Sequence, residues 1–258
     1  MTTALIGFTG FVGGTLDREI DFTHRYHSKN IREIEGKEFD TIYCAGVPAV
    51  KWLANKEPEQ DLVAIAPLLV ALEKVKSERF VLISTIDVYK IPVGVTEETE
   101  ISTAGLHAYG THRRMIELFV AERFPLHHII RLPGLFGYGI KKNIIYDFLH
   151  DNQVDNIHAD AEFQFYDLSV LKRDIDIAID NGLSLVNFAT ESVSVRQVAQ
   201  AAFNRDFDNR PAGVAPARYD MRSVHGRLFG GTESYLQEKD EVLERLKRFV
   251  ASEQRKTQ

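Results

Sequence analysis

Three glycines near the start of the chain have the spacing of a phosphate-binding turn. Gly7, Gly10 and Gly13 follow a short apolar run and precede an amphipathic stretch. Glycine at such a turn lets the backbone approach a pyrophosphate, whose charge then lies at the helix N-terminus. Glycines at this spacing also occur in turns that bind nothing, and it is the position after a first strand that favours nucleotide binding. We expect a dinucleotide to contact Gly7, Gly10, Phe11, Val12 and Gly13.

The segment after the second apolar run bears on which dinucleotide would bind. A carboxylate about 20 residues past the first glycine is typical of sites that take a ribose without a 2′-phosphate. This chain has Arg25, Ser28 and Lys29 there instead. Basic and hydroxyl groups can hydrogen-bond a 2′-phosphate, which favours NADP over NAD. The alternative is that Arg25 and Lys29 are ordinary solvated surface charges.

The elements that must position these residues alternate between short apolar runs and longer amphipathic stretches, which is typical of βαβ units. The predicted strands are Thr3–Phe8, Phe22–Tyr26, Thr41–Ala45, Phe80–Ser84, His128–Leu132 and Leu185–Phe188. The predicted helices are Phe11–Ile20, Pro58–Val75, His107–Glu122, Ile144–His150 and Tyr235–Glu253, with a kink or an interruption expected at Pro67.

This pattern predicts an α/β fold, a Rossmann-type doubly wound parallel sheet with a small C-terminal substrate lobe. We expect residues 1–140 to form the dinucleotide-binding core. Residues 141–258 should form a substrate-side lobe, interleaved with the last strands and helices of the core.

Composition excludes several classes of protein. With 44% hydrophobic and 26% charged residues in 258, the chain suits a globular protein rather than a disordered one. Its net charge of −6 offers no field that would attract nucleic acid or an anionic membrane. The first 16 residues lack a basic start and contain several glycines, so neither a signal peptide nor a membrane span is expected. One cysteine allows no intrachain disulfide, which suits the reducing cytoplasm.

A metal site is not expected, because the nine histidines include no His-Glu-x-x-His spacing. The single tryptophan, Trp52, follows the third predicted strand. It would either cap the cofactor cleft or pack internally, and we favour packing.

Four motifs occur in an order that resembles a known family. They are the glycine loop, the strand Phe80–Tyr89, the helix start Tyr109–Arg113 and the segment Arg131–Gly137. The chain resembles the extended or atypical short-chain dehydrogenase/reductases, as a compact member of the NAD(P)-dependent epimerase/dehydratase family. The resemblance covers nearly the whole chain and implies a cytoplasmic enzyme with NADP or NAD as its cofactor. A homodimer through the second and third predicted helices is plausible by the same analogy.

The resemblance assigns roles to three side chains. Thr85 matches the hydroxyl residue that orients the substrate oxygen, and Tyr109 matches the acid/base tyrosine. The family carries a lysine four residues after the tyrosine, which grips the nicotinamide ribose, but this chain has Arg113. A phenol of ordinary pKa near 10 needs a nearby cation before it exchanges protons usefully, and arginine can still supply the charge. Its planar fork does not readily join a proton relay.

Other positions would contact the cofactor. Cys44, Ala45 and Gly46 end the third strand, where small residues let the adenosine half pass, and Cys44 is expected to be a buried residue rather than a nucleophile. Pro133 and Leu135 are placed to touch the nicotinamide. Between them lies Gly134, where family members that act on nucleotide sugars commonly carry an asparagine.

These observations predict an NAD(P)-dependent dehydrogenase, reductase or epimerase that acts on a carbinol or ketone, including that of a sugar or nucleotide sugar. The alternative is a catalytically weak or inactive NAD(P)-binding sensor or regulatory protein, in which Arg113 records the loss of catalysis. The partner in either case is a small molecule.

Overall fold

The computed structural model describes residues 1–257. Its strands are β1 Thr3–Ile6, β2 His24–Tyr26, β3 Glu38–Cys44, β4 Lys76–Thr85, β5 Val93–Val95, β6 His127–Leu132, β7 Gly134–Phe136, β8 Glu162–Phe163, β9 Phe165–Asp167, β10 Leu185–Asn187, β11 Val193–Ser194 and β12 Asp220–Met221. Its α-helices are α1 Phe11–Glu19, α2 Lys51–Lys56, α3 Pro58–Glu73, α4 Ala108–Arg123, α5 Ile144–His150, α6 Leu171–Asp180, α7 Val195–Phe203 and α8 Lys239–Thr257.

All six predicted strands lie in one parallel sheet, in the order β10-β6-β4-β3-β1-β2. Strand β1 pairs in parallel with β2 on one side and with β3 on the other. The strand that follows β1 in sequence, β2, thus lies on one side of β1, and the next strand, β3, lies on its other side. The connections after β1 and β3 leave the sheet in opposite directions from this point, and ligands of open α/β sheets bind in the crevice there. The predicted Rossmann-type fold class is confirmed.

Helices cover both faces of this sheet. Helices α3 and α4 contact each other, as do α1 and α6. Strands β1, β3 and β4 contribute Ile6, Ile42 and Phe80 to a core that also includes Ile65 and Phe124 from the α3 and α4 side. The strands are apolar on successive residues because both of their faces are buried.

Contacts divide the chain into two discontinuous units. The first comprises Met1–Lys90, Glu100–Arg131 and Leu171–Val186. The second comprises Ile91–Thr99, Leu132–Val170 and Asn187–Gln258. The predicted division after residue 140 stays a prediction, and the second unit by contacts already takes in residues 91–99 and 132–140.

The second unit is built from helices α5, α7 and α8 with pairs of short strands. Strands pair as β8 with β11, β5 with β12 and β7 with β9. Phe148, Ile157, Val195 and Phe207 belong to one buried cluster. Helix α7 begins with a capping box, in which Ser194 and Gln197 satisfy each other's backbone N–H groups.

Five helices differ from the sequence prediction, and among them α6 and α7 were not predicted. Helix α3 continues through Pro67, so an interruption there was wrong. Pro67 lies on the exposed side of α3, where water can satisfy the carbonyl that proline leaves unbonded. The last helix begins at Lys239 rather than Tyr235, because Thr232 accepts the backbone N–H of Tyr235 in a turn. The six-residue helix α2 was not predicted.

Candidate active site

Two glycines of the first loop are fixed by the packing of backbone against backbone. Gly7 has a φ of +91°, and a Cβ added there would lie 2.5 Å from Cα of Gly46. A Cβ on Gly13 would lie 2.0 Å from the carbonyl oxygen of Gly7. Neither position has room for a side chain, so these glycines hold the loop after β1 against the loop after β3.

Gly10 is different, because internal packing does not require it. The nearest atom to an added Cβ is the Gly7 oxygen, at 3.3 Å. Gly10 is the N-cap of α1, which has neither a side-chain cap nor an acidic residue in its first turn. The N–H groups that begin α1, including those of Phe11, Val12 and Gly13, therefore meet no side chain that would compete with an anion. An open glycine at an uncapped helix N-terminus fits a pyrophosphate.

The turn after β2 borders this loop. Gly7 donates its backbone N–H to the carbonyl of Tyr26 at 2.7 Å, and the rings of Phe8 and His27 lie 5.4 Å apart. Ser28 and Lys29 are exposed in the turn that follows. The structure thus brings these two predicted residues close to the glycine loop.

Arg25 points elsewhere. Its Nε lies 2.6 Å from Oδ1 of Asp17, and its Nη1 donates to the carbonyl of Phe22 at 2.8 Å. Phe22 precedes β2, so the guanidinium is held toward the amino end of the strand. A 2′-phosphate would be expected at the carboxyl end. The arrangement supports Ser28 and Lys29 for this contact and does not support Arg25.

The end of β3 supplies the opposite wall. Ala45 donates its backbone N–H to the carbonyl of Ile6 at 2.9 Å, and a Cβ on Gly46 would lie 2.8 Å from Cγ2 of Ile6. Cys44 is fully buried, and burial raises the pKa of its thiol to about 11 although a backbone hydrogen bond with Gly46 lowers it. A thiol with so high a pKa is not a nucleophile at neutral pH.

Tyr109 and Thr85 meet at the carboxyl end of β4. The Thr85 hydroxyl lies near enough to the phenol to lower its pKa, and Thr85 Oγ1 accepts the backbone N–H of Asp87 at 3.2 Å. Burial raises the pKa of the Tyr109 phenol, and the Asp87 carboxylate raises it further. The positive charges of Arg113 and Lys51 lower it. Burial has the larger effect, so the pKa of the phenol stays above its ordinary value although two cations lie nearby.

Arg113 lies against the face of the Tyr109 ring, with Cζ 3.9 Å from the ring centroid. Its guanidinium forms a two-pronged ion pair with Asp61, with Nη2 3.0 Å from Oδ1. Nη2 also donates to the carbonyl of Pro48. The remaining Nε is buried without a hydrogen-bond partner among the described residues. Both terminal nitrogens are thus committed within the fold.

Asp61 is a site residue that the sequence analysis missed. It also contacts Nδ1 of His112 at 2.7 Å, and it is buried. Burial raises the pKa of Asp61, but the hydrogen bonds from Arg113 and His112 more than compensate, so the pKa lies below its ordinary value. Asp61 comes from α3, 52 positions before Arg113. No local spacing signals such a pair.

Two further residues missed by the sequence analysis are Lys51 and Asp87. Lys51 Nζ lies 2.6 Å from Asp87 Oδ1, next to the Tyr109 phenol. Asp87 stands two residues after Thr85, so its place after β4 was readable from the strand. Lys51 belongs to helix α2, which was not predicted, and no motif in the sequence marks it as a site residue.

A buried ion pair fixes the helix that carries Tyr109. Arg131 of β6 bonds Glu117 of α4 through two nitrogens at 2.9 and 2.7 Å. Ser84 donates to the same carboxylate at 2.6 Å, and Arg131 Nη1 donates to the Tyr89 hydroxyl at 2.7 Å. Helix α4 is therefore bonded to both β4 and β6.

Pro133 and Leu135 belong to the second unit. Leu135 pairs with Tyr166 of β9, and its carbonyl accepts from Asn143 Nδ2 at 2.8 Å. Pro133 is buried. A Cβ on Gly134 would lie 2.8 Å from the carbonyl oxygen of Gln164, so an asparagine would not fit this backbone. The contact of Pro133 and Leu135 with a nicotinamide stays a prediction.

Within residues 1–257, no helix is long and apolar enough to cross a membrane. The same residues contain no group of three or more histidine, cysteine, aspartate or glutamate side chains that could hold a metal ion.

A scan against models of known protein families finds no match, and a comparison with curated protein sequences finds none either. Solved structures do match. UDP-glucose 4-epimerase from Thermotoga maritima, solved with UDP-glucose, is 13% identical with a TM-score of 0.74, and the match covers 100% of both chains. The dTDP-4-dehydrorhamnose reductase from Bacillus anthracis, in complex with NADP, is 19% identical with a TM-score of 0.71, covering 97% of this chain and 99% of that one.

A third similar structure is MoeE5 in complex with UDP-glucose and NAD. It is 19% identical with a TM-score of 0.71, and the match covers 100% of both chains. These likenesses establish the fold, a Rossmann-type parallel sheet with helices on both faces.

Proposed function

We propose that this protein is an NAD(P)-dependent oxidoreductase or epimerase that acts on the carbinol or ketone of a nucleotide sugar. The observation that carries the proposal is the placement of Thr85, at the carboxyl end of β4, next to the Tyr109 phenol. Strand β4, which ends at Thr85, is two strands from β1 in the same sheet, and β1 leads into the glycine loop. The similar structures include an epimerase with UDP-glucose and a reductase with NADP.

The residues of the first unit suit a dinucleotide. The uncapped start of α1 and the open Gly10 would receive the pyrophosphate. Ser28 and Lys29 would contact a 2′-phosphate, which favours NADP over NAD. When bound, the nicotinamide would supply the acceptor or donor of a hydride.

Tyr109 is the proposed acid/base. In the oxidative direction, the Tyr109 phenolate takes the proton of the substrate hydroxyl while a hydride leaves the same carbon, and a ketone forms. In the reductive direction, the phenol returns a proton to the oxygen as the hydride returns to the carbon. Thr85 would hydrogen-bond this oxygen and keep it within reach of Tyr109. An epimerase would use both directions in succession.

The commitment of Arg113 to Asp61 favours one alternative, a dinucleotide-binding protein without turnover. In such a protein the Tyr109 phenol would remain protonated, because burial raises its pKa and Arg113 stays bound to Asp61. The two functions share the cofactor site and differ only in turnover.

The first experiment measures the thermal midpoint with NADPH, NADP, NADH and NAD, all at one concentration that is about one hundred times the dissociation constant of the tightest binder. Linkage then predicts about 2.7 kcal/mol of stabilisation. We expect a larger rise with the phosphorylated pair, and Lys29→Asp should remove that preference. No rise with any of the four would overturn both the enzyme and the binding protein.

Tyr109→Phe separates the two functions. We expect turnover of a nucleotide-sugar panel to fall by about 100-fold or more, with the cofactor-induced rise unchanged. A wild-type protein that binds cofactor but turns over no member of the panel would favour the alternative.

We also propose a homodimer through the outer faces of α3 and α4. Val63 is 73% exposed, Val70 47% and Leu118 54%, an apolar surface typical of interfaces between identical subunits. Leu118→Glu should halve the mass measured by sedimentation at micromolar concentration. A wild-type protein that sediments as a monomer would overturn the dimer.

A further inference from the structure

The segment between β3 and α2 has no helix or strand, yet it forms one wall of the proposed dinucleotide site. It comprises residues 45–50 and is called the crevice segment below. A Cβ on Gly7 would lie 2.5 Å from Cα of Gly46, so the start of the segment lies directly against the glycine loop. Val47 is partly buried and packs against the core. A ligand bound between the two loops therefore depends on where this segment lies.

A side chain from a distant helix bonds the middle of the crevice segment. Arg113 of α4 donates from Nη2 to the carbonyl of Pro48, 65 positions earlier in the chain. The Arg113 side chain is 4% exposed, so water has little access to this bond. A hydrogen bond from a charged donor is stronger than one between neutral groups. Arg113 therefore ties the crevice segment to α4.

A carboxylate fixes the direction of that donor. Asp61 of α3 bonds both terminal nitrogens of Arg113, with Oδ1 3.0 Å from Nη2. His112 Nδ1 lies 2.7 Å from Oδ2 of the same carboxylate. On another side, the Tyr109 ring centroid lies 3.9 Å from Arg113 Cζ. The guanidinium could turn toward a ligand only by breaking a buried ion pair, which is costly.

The shape of a guanidinium suits these contacts better than that of an ammonium. Its N–H donors lie in one plane, so two nitrogens can bond a carboxylate while one of them also bonds a carbonyl. An ammonium is a single point charge. A lysine at position 113 could keep an ion pair with Asp61 but would not occupy both nitrogen positions. We therefore expect it to lose the bond to Pro48.

We propose that Arg113 is a positioning residue that holds the crevice segment against the glycine loop, with Asp61 fixing its guanidinium, and that it does not bond the cofactor ribose. The inference rests on the proposed function. It gives position 113 a different role from the one that the family resemblance implies. The arginine then affects dinucleotide affinity through Pro48, without contact with the cofactor.

The first test measures backbone motion in protein without ligand. ¹⁵N relaxation gives order parameters for the amides of the crevice segment, and about 0.85 is typical of rigid backbone. In Arg113→Lys we expect these values to fall below about 0.6, while the strands of the sheet stay rigid. Arg114→Lys is the matched control, because Arg114 bonds Glu117 of the same helix at 2.9 Å. Order parameters that are the same in Arg113→Lys and the wild type would overturn the proposal.

The second test measures the dissociation constant of the dinucleotide that gives the largest thermal rise. Arg113→Lys should raise this constant by about tenfold, as expected when one charge-assisted hydrogen bond is lost. Arg114→Lys should leave it unchanged. If position 113 instead gripped the ribose, as the family's lysine does, Arg113→Lys would bind the dinucleotide at least as tightly as the wild type. That result would contradict the proposal.

A paired variant keeps the test decisive if circular dichroism shows that Arg113→Lys does not fold. Asp61→Leu combined with Arg113→Met removes both charges, so no buried charge is left unpaired. The crevice segment loses its bond to position 113 in this protein as well. We expect the same fall in order parameters and the same rise in the dissociation constant, and wild-type values of either would refute the positioning role.

Failure of this proposal can be distinguished from failure of the proposed function. The relaxation measurement needs no ligand, so it decides whether Arg113 holds the crevice segment even if no dinucleotide binds. Absence of binding by the wild type would overturn the proposed function, and the effect of Arg113 on affinity would fall with it.

Discussion

The two ends of the candidate site are built by different means. The glycine loop is made of backbone, and each critical position is set by an atom within the loops after β1 and β3. The Tyr109 end is made of side chains from α2, α3, α4 and the segment after β4, joined by ion pairs and hydrogen bonds. A backbone site depends on local residue size, whereas a side-chain site depends on partners far away in sequence.

This contrast has an energetic counterpart. Changes at the glycine loop act through steric overlap, with little dependence on pH. Changes at the Tyr109 end leave buried charges without partners, which costs more and varies with pH. The following predictions test whether the two ends differ in this way.

The largest expected effect on stability is at Asp61. Asp61→Asn leaves the buried Arg113 without its carboxylate, which should lower the free energy of unfolding by about 3–5 kcal/mol. Urea unfolding measures it. Asp17→Asn is the control, since it breaks a partly exposed pair with Arg25 and should cost about 0–1 kcal/mol. Equal losses of stability in the two variants would show that the buried pair of Asp61 is no more sensitive to the loss of its carboxylate than an exposed pair.

The same carboxylate predicts how stability depends on pH. The pKa of Asp61 is lower in the folded protein than its ordinary value near 3.9. Its contribution is therefore fully present above that value and is lost as the pH falls through the folded pKa. We expect the wild type to lose stability in acid more steeply than Asp61→Asn, as measured by urea unfolding between neutral pH and the acid range. Parallel curves would contradict the assignment.

A smaller loss is expected in the glycine loop. Gly13→Ala places a Cβ 2.0 Å from the Gly7 oxygen, and the resulting shift of the loop should cost about 1–3 kcal/mol. Gly14→Ala is the matched control, because its Cβ would be 3.4 Å from the nearest atom. That variant should be neutral or more stable by up to about 1 kcal/mol. The effects of both substitutions should be independent of pH, and a pH-dependent loss in Gly13→Ala would count against a purely steric cause.

The smallest change in folding is expected at Gly10. An added Cβ meets only the Gly7 oxygen at 3.3 Å, so Gly10→Ala should alter unfolding by less than about 1 kcal/mol. The methyl group would nevertheless stand where a pyrophosphate approaches. We expect the thermal rise with NADPH to fall while the protein without ligand melts as before. An undiminished rise would show that no phosphate lies over Gly10.

Sequence reasoning succeeded where local pattern determines structure. The alternation of apolar runs identified the six strands of the sheet, and the glycine spacing identified the loop whose backbone packing requires Gly7 and Gly13. Thr85 and Tyr109 were predicted from family-like motifs, and Thr85 lies near enough to the phenol to lower its pKa, while their catalytic roles stay a prediction. These features depend on residues within one element or on one recurring motif.

Sequence reasoning did not identify side-chain pairs whose members are far apart in the sequence. The contact of Arg25 with a phosphate stays a prediction, but the sequence did not indicate that Asp17 on α1 pairs with its guanidinium. Asp61 and Lys51 were missed because their partners are 52 and 36 residues away. Trp52, predicted to pack internally, is 67% exposed on α2. The pairing of such side chains follows from the tertiary fold, which no spacing in the sequence displays.

Because Cys44 is buried, the reactivity of its thiol measures how often the central strands of the native protein separate. This thiol, the only one in the chain, lies in β3 between β1 and β4, paired with Ile6 and Leu82. A thiol reagent can reach it only in molecules whose central strands have separated, so the labelling rate gives the population of that open state. A ligand bound at the ends of β1 and β3 would slow the labelling, and binding could be followed in the native sequence without a substitution.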